Sequence, residues 1–376
     1  MALVPASGVG AAAPKKTPIP QVRVMVEEKQ KLMRLEIKGS YTVQVLPSLK
    51  LAKKGVGLAL PVTRTDRGIK LGQDEWAAQG LRVEPAEDRD LMLDTTRFRG
   101  AMDIVKDSDG TLYAVNRIDV ESYLYGVLHH EMAHWWPMEA LKAQAIAART
   151  YALYQASVSR SAPYDLKSNT SSQVYGGSTL ERFRTKSAVD RTAGRVLKFQ
   201  DAIFPAYFHA TCGGLTAGAQ EIWKIDLPPI RGLVSCPYCR LSPHYFWKAE
   251  IPLTFIEEKM RQNGRPAGQI LSIEVITQTP SARVGSLRIT GTDQEVVMAA
   301  KDFRIWMGGD KMRSTDFTVT LADDKAYFSG KGWGHGVGLC QWGALGKSLL
   351  GHKHEDILKF YYPGAEIGSY FEEKKT

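Results

Sequence analysis

The sequence predicts an α+β fold, and three observations carry that expectation. Short β-type segments punctuated by turn residues fill residues 21–118. The apolar period changes to a helical one at Asp119, and a Gly-rich stretch holding two Trp closes a second mixed β region near the C-terminus. The expected order is a β-rich N-terminal region, an Ala-rich helical core, and a mixed β region that ends in the Gly-rich motif.

Composition narrows the classes further. Of 376 residues, 44% are hydrophobic and 24% charged, which supports a folded core and excludes a disordered chain. Lys and Arg number 49 against 40 Asp and Glu, a formal charge of +9. Such a chain is drawn to polyanions, but no nucleic-acid motif accompanies the charge, so nucleic acid is not expected as a partner. No segment approaches the roughly 18 to 20 uninterrupted apolar residues of a membrane-spanning helix.

Residues 1–20 are small and Pro-rich, and a flexible segment is expected there. They lack a basic n-region followed by a long apolar core, so they read as a mature N-terminus and leave export open. Strand character then appears at Val22–Val26, Leu32–Ile37, Tyr41–Leu46, Gly57–Val62, Leu91–Leu93, Met102–Val105 and Leu112–Val115. Asp109-Gly110 makes a hairpin turn between the last two.

Asp119 is placed to cap a helix in which Val120, Leu124, Val127 and Leu128 share one face, ending near His129-His130-Glu131. Pro137 suits the first position of a second helix, and the run from Glu139 to Arg149 is almost wholly composed of strong helix formers. Its alanines imply close packing against neighbours.

The junction between the two helices holds Glu131 among three His and two Trp. A carboxyl group set against aromatic surface loses hydration, its pKa rises, and it can keep a proton near neutral pH as a general acid must. The alternative is a local cap or ion pair. His130-Glu131-Met132-Ala133-His134 also has zinc-protease spacing. That chemistry needs both His on one helical face, however, and Pro137 follows too closely for the helix to continue. Glu121 and Glu139 are the nearest spare carboxylates and suit helix-start or solvent-facing roles.

Gly330 to Gly343 contains six Gly with Trp333, His335, Gln341 and Trp342. Glycine admits close backbone approach and Trp can stack on a sugar face. The alternative is a tight buried crossing in the core. As a phosphate loop the stretch fails, since no Gly-Lys-Ser/Thr follows.

Three of the four cysteines cluster. His209 and Cys212, then Cys236 and Cys239, form two short-spaced ligand pairs, and this pattern predicts a structural Cys3His zinc site. His244 is an alternative nitrogen ligand, and a Cys236–Cys239 disulfide or unliganded thiols are the competing states.

Two long strings fix a resemblance. Tyr123-Leu124-Tyr125-Gly126-Val127, Glu131-Met132 and Trp136 through Ala152, together with Gly330 through Ala344 and Ile357 through Gly364, closely resemble the motifs of the SpoIID/LytB family. The likeness runs from about residue 20 to 368. It implies peptidoglycan chemistry: lytic transglycosylases of this kind cleave glycan strands stripped of stem peptides, with an essential glutamate that corresponds to Glu131. It further implies substrate contacts along Ser172 to Tyr175 and Phe208 to Gly214, so that Gln173, Tyr175, Thr211, Gly213 and Gly214 join Trp333, His335 and Gln341 as candidate substrate-binding residues. By the same resemblance the partner is peptidoglycan glycan strands; the alternative it leaves open is a non-catalytic LytB-like enhancer that binds glycan and stimulates a partner cell-wall amidase. The place of action is extracytoplasmic, in periplasm or wall. Some clostridial relatives carry zinc-binding cysteines just before this Gln-Val-Tyr; Asp165 to Ser172 here has none, so any zinc belongs to a different site.

The expected boundaries are residues 1–20 as the flexible segment, 21–118 as the β-rich part and 119–368 as the catalytic core, with a Cys/His insertion at about 209–244, and 369–376 as a tail.

Overall fold

The computed structural model describes residues 19–86, 89–169 and 172–371. Residues 1–18 of the expected flexible segment and 372–376 of the tail lie outside the described residues, as do Thr170 and Ser171. The architecture is α+β. Among the described residues, the N-terminal region forms an eleven-stranded sheet whose centre runs Gln21–Gln30, Leu112–Asp119, Ala101–Lys106, Gly80–Pro85, Leu32–Leu46, Lys50–Arg64. These pairings are antiparallel, while Leu166–Lys167 adds to the edge in parallel with Val24 and Met25. Alternation places Val22, Val24, Met33, Leu35, Val43, Leu81, Val83, Met102, Ile104 and Ile118 in the core.

The Asp109-Gly110 turn is present. Gly110 has φ 83°, and Asp109 Oδ1 accepts from the Thr111 amide at 2.8 Å. The segments expected at Leu32–Ile37 and Tyr41–Leu46 are one strand with a register shift between Ile37 and Ser40.

Helix α1 spans Val120–Glu131, and Asp119 caps it by accepting from the Ser122 amide at 2.9 Å. Helix α2 spans Met138–Val158, one turn-rich junction later, with Pro137 at the N-cap rather than the first helical position. Glu121 does not face solvent. It pairs inside the protein with Arg149 of α2, whose Nε and Nη2 donate to its two oxygens at 2.9 and 2.6 Å, and it also accepts from the Gly194 amide. Arg149 is fully buried and further donates to the carbonyls of Val189 and Arg195, so this one guanidinium ties α1, α2 and the Phe183–Asp190 helix together.

Beyond α2, two short strands, Phe208–His209 and Leu339–Cys340, pair in parallel and join segments far apart in sequence. The chain between them includes a second hydrophobic cluster, built on Trp247, Ile251, Ile256, Met260, Leu287, Ile289, Phe303, Phe317 and Phe328. Two three-stranded sheets and the helices Leu253–Gln262 and Ala300–Met307 surround it. After Cys340 the chain forms the helices Gln341–Leu349 and His354–Tyr361, both packed on α2.

Candidate active site

Glu131 is the last residue of α1. The helix stops there because Met132 turns extended, its amide bonding back to the Leu128 carbonyl, and the junction closes with a bond from the Trp136 amide to the Ala133 carbonyl. Arg184 braces this turn from outside, donating to the carbonyls of His134 and Trp136 at 3.1 and 3.0 Å.

Two donors meet the carboxyl group. Gln341 Nε2 donates to Glu131 Oε2 at 3.1 Å, and the Val174 amide donates to Oε1 at 3.3 Å. Although the residue keeps some exposed surface, its carboxyl is packed within protein. Burial is the dominant influence and raises its pKa to about 7, against the downward pull of the Gln341 and Val174 hydrogen bonds. Trp136 packs edge-on against Trp342 with ring centroids 5.1 Å apart, where the Glu131 and Gln341 segments meet. Trp135 is 65% exposed beside them. The site therefore combines a carboxyl group that is half protonated near pH 7 with an accessible indole.

Glu139 is the contrast. Burial alone would raise its pKa, but hydrogen bonds from Lys142 and His354 outweigh that and hold it at about 2. With His354 and Glu355 it forms a compact group, but Lys142 and Arg195 are ion-paired into it, so it is a salt-bridge network.

The other predicted contacts divide. Gln341 reaches Glu131. Gln173 and Tyr175 are turned inward: Gln173 accepts from Tyr123 Oη at 3.0 Å, and Tyr175 Oη donates to Asn116 at 2.9 Å. The Gln-Val-Tyr segment thus meets the site through the Val174 amide, which residue-type reasoning missed because a backbone donor has no sequence signature. Thr211 is fully buried on Ser242, and Gly213 and Gly214 turn the chain at φ 80° and 112° against Lys331 and Tyr245. Trp333 packs against His244 and under Arg313.

His335 lies among Tyr207, His209 and Trp223, where burial lowers its pKa well below the usual range. His209 is likewise neutral. Burial first, then the Arg283 charge, lowers its pKa to about 3, and its Nδ1–H donates to the Val337 carbonyl at 3.1 Å.

His209 is not in the cysteine group, which corrects the expected ligand set. The sulfurs of Cys212, Cys236, Cys239 and Cys340 lie within 4.8 Å of one another, all buried, and form no disulfide. Cys340 replaces the histidine because the parallel pairing of His209 with Cys340 carries it alongside Cys212. In sequence it stood apart from the other three. The set suits one metal ion: sulfurs bound at about 2.3 Å in a tetrahedron lie about 3.8 Å apart, and Cys212 and Cys239 Sγ are at 3.5 Å. Backbone amides of Cys212, Gly214 and Gly343 donate to these sulfurs at 3.3 to 3.4 Å, the kind of support that thiolates need. His130 and His134 belong to no such group among the described residues, so the zinc-protease spacing has no structural counterpart.

A family model described as stage II sporulation protein matches residues 108–199, the stretch that carries α1, Glu131 and α2. Stage II sporulation protein D of Bacillus subtilis (strain 168) is 30% identical over 270 residues, covering 68% of this chain and 76% of that protein. The chain belongs to the SpoIID/LytB family. An uncharacterized protein of Brachyspira hyodysenteriae is 32% identical over 306 residues, 81% of this chain and 80% of the relative. An amidase enhancer of Bacillus subtilis is 28% identical over 291 residues, 66% of this SpoIID/LytB chain but 40% of the enhancer. A second model, of a domain of unknown function, matches residues 240–338, which contain the second hydrophobic cluster. Among the described residues, no helix is long and apolar enough to cross a membrane.

Proposed function

We propose that this chain is a lytic transglycosylase that cleaves the MurNAc–GlcNAc bond of peptidoglycan, on strands stripped of stem peptides, outside the cytoplasmic membrane. The observation that carries the reading is Glu131, a desolvated carboxyl with a pKa raised to about 7 and both oxygens met by donors. Protonated, it gives its proton to the glycosidic oxygen as the bond from C1 to that oxygen breaks. The carboxylate left behind, steadied by Gln341 and the Val174 amide, then takes the proton of the sugar's own C6 hydroxyl while that oxygen bonds to C1. The product is a 1,6-anhydro ring, and no water is consumed. An intramolecular attack removes the need for a second carboxylate to activate water. Glu139, held ionised by its cations, is unfit to be a second acid. The exposed face of Trp135 offers a stacking surface for a sugar ring. The four cysteines would hold a structural zinc ion that cross-links the chain and touches none of the reacting atoms.

The likeness to an amidase enhancer favours a second reading: a protein that binds glycan and stimulates a partner amidase. Digestion of denuded glycan followed by mass spectrometry separates the two. Anhydro-ended fragments that disappear in Glu131→Gln are expected. Intact glycan, with amidase stimulation preserved in Glu131→Gln, would establish the enhancer instead. Reducing ends would mean hydrolysis.

A further inference from the structure

The four-cysteine site and the candidate acid are joined through consecutive residues. Cys340 is the N-cap of the helix Gln341–Leu349, its sulfur accepting from the Gly343 amide at 3.3 Å, and Gln341 is the residue that reaches Glu131. The same sulfur accepts from the Cys212 amide, so it fixes the helix start to the segment that follows the Phe208–His209 strand. Cys236 and Cys239 come from the turn around Pro237–Leu241, which packs on this helix. Its approach depends on Gly343, where an added Cβ would stand 2.8 Å from Cys236 Sγ. Tyr361 Oη closes the group at 3.0 Å from Cys236 Sγ. Three chain segments, the most distant 128 residues apart, therefore converge on four sulfurs directly behind the residue that holds the carboxyl group.

We propose that Cys212, Cys236, Cys239 and Cys340 bind one zinc ion and that its occupancy sets the position of Gln341 against Glu131, making Gln341 a positioning residue under metal control. The inference rests on the assignment of Glu131 as acid and base, but its metal and coupling arms are readable without activity. Four closely grouped sulfurs match a single tetrahedral ion, whereas a polynuclear cluster would need them farther apart. Without the ion, nothing bonds the three segments together at the sulfurs, and the Cys340 cap would lose its fixed place.

The test uses the full chain purified without chelator. Elemental analysis is expected to give one zinc per chain, lost in Cys340→Ser and retained in His209→Ala. Iron in its place, a disulfide, or four free thiols with no metal each overturn the site, and loss of zinc in His209→Ala overturns the ligand set. Because Cys340→Ser can fail to fold, the wild-type chain is also titrated with a mercurial while zinc release is read with a dye and folding by circular dichroism. Release is expected to accelerate hydrogen exchange at the Val174 amide and along residues 341–349 by about tenfold or more, as local opening becomes easier, with the 270–299 sheet unchanged. Unchanged exchange at Val174 overturns the coupling. On denuded glycan, zinc release and Gln341→Leu are both expected to lower kcat with glycan affinity retained. If the zinc-loaded chain cleaves no glycan, the enzymatic reading fails, while metal content and exchange still decide the clamp.

Discussion

Glu131 and Glu139 lie on either side of one short junction, yet their surroundings push them to opposite ends of the carboxyl range, about 7 and about 2. The difference suits the roles proposed above: one group can give and take a proton near neutrality, the other stays ionised. It also has a stability consequence. A carboxyl whose pKa is higher folded than unfolded holds its proton more tightly when folded, so its ionisation works against folding as pH climbs from about 4.5 towards 7. At about 1.4 kcal/mol per pH unit, that penalty is at most about 3 kcal/mol. Glu131→Gln removes the ionisable group, so urea unfolding should find the variant more stable than the parent by about 1–3 kcal/mol at pH 8, with the gain vanishing near pH 4. The desolvated setting of Glu131 was legible in the aromatic residues around it, but a local cap or ion pair was an equally open reading there, and it was the family resemblance that singled the residue out. Its two donors were unequally legible: Gln341 stood in a conspicuous Gly-rich string, whereas the Val174 amide is backbone and Gln173 beside it drew the attention that belonged to its neighbour.

At the level of elements, what propensity and capping govern was readable, and what long-range packing governs was not. The start of α1 follows from Asp119, and α2 from its alanines. The strand Gly80–Pro85 escaped detection because only Leu81 and Val83 alternate within it, yet it lies near the sheet centre, between Leu32–Leu46 and Ala101–Lys106. Glu121 was misjudged for a related reason: nothing local announces that Arg149, twenty-eight positions on, will be sealed inside with it. That pair makes α1 and α2 one unit. Arg149→Met would leave the Glu121 carboxylate buried without its cation, and a loss of about 3–5 kcal/mol is expected by denaturant unfolding. Since α1 ends in Glu131, the same change should loosen the acid even though Arg149 touches no substrate.

For the whole molecule, the α+β class and the order of regions were legible, and the second hydrophobic cluster was not. Its helices and hairpins resemble any mixed β region until their apolar residues are seen to pack on one another. The net charge of +9 acts at this scale too. Co-sedimentation with anionic wall sacculi should fall by about tenfold between low and high salt, as the Debye length shrinks from about 30 to about 3 Å, while thermal stability changes little. The interposed stretch enters and leaves at neighbouring points, because Phe246 and Lys331 are paired across one antiparallel ladder. It reaches back to the cysteine segment, where Arg283 donates to the Cys212 carbonyl at 2.8 Å, and to the Ala219–Trp223 helix, where Ser281 donates to Glu221 and Lys301 to the Ile222 carbonyl. A chain arranged in this way can be remodelled by exchanging a whole cassette. A replacement module would need adjacent ends and substitutes for these three contacts, and a graft that met both conditions would leave Glu131 and its two donors untouched.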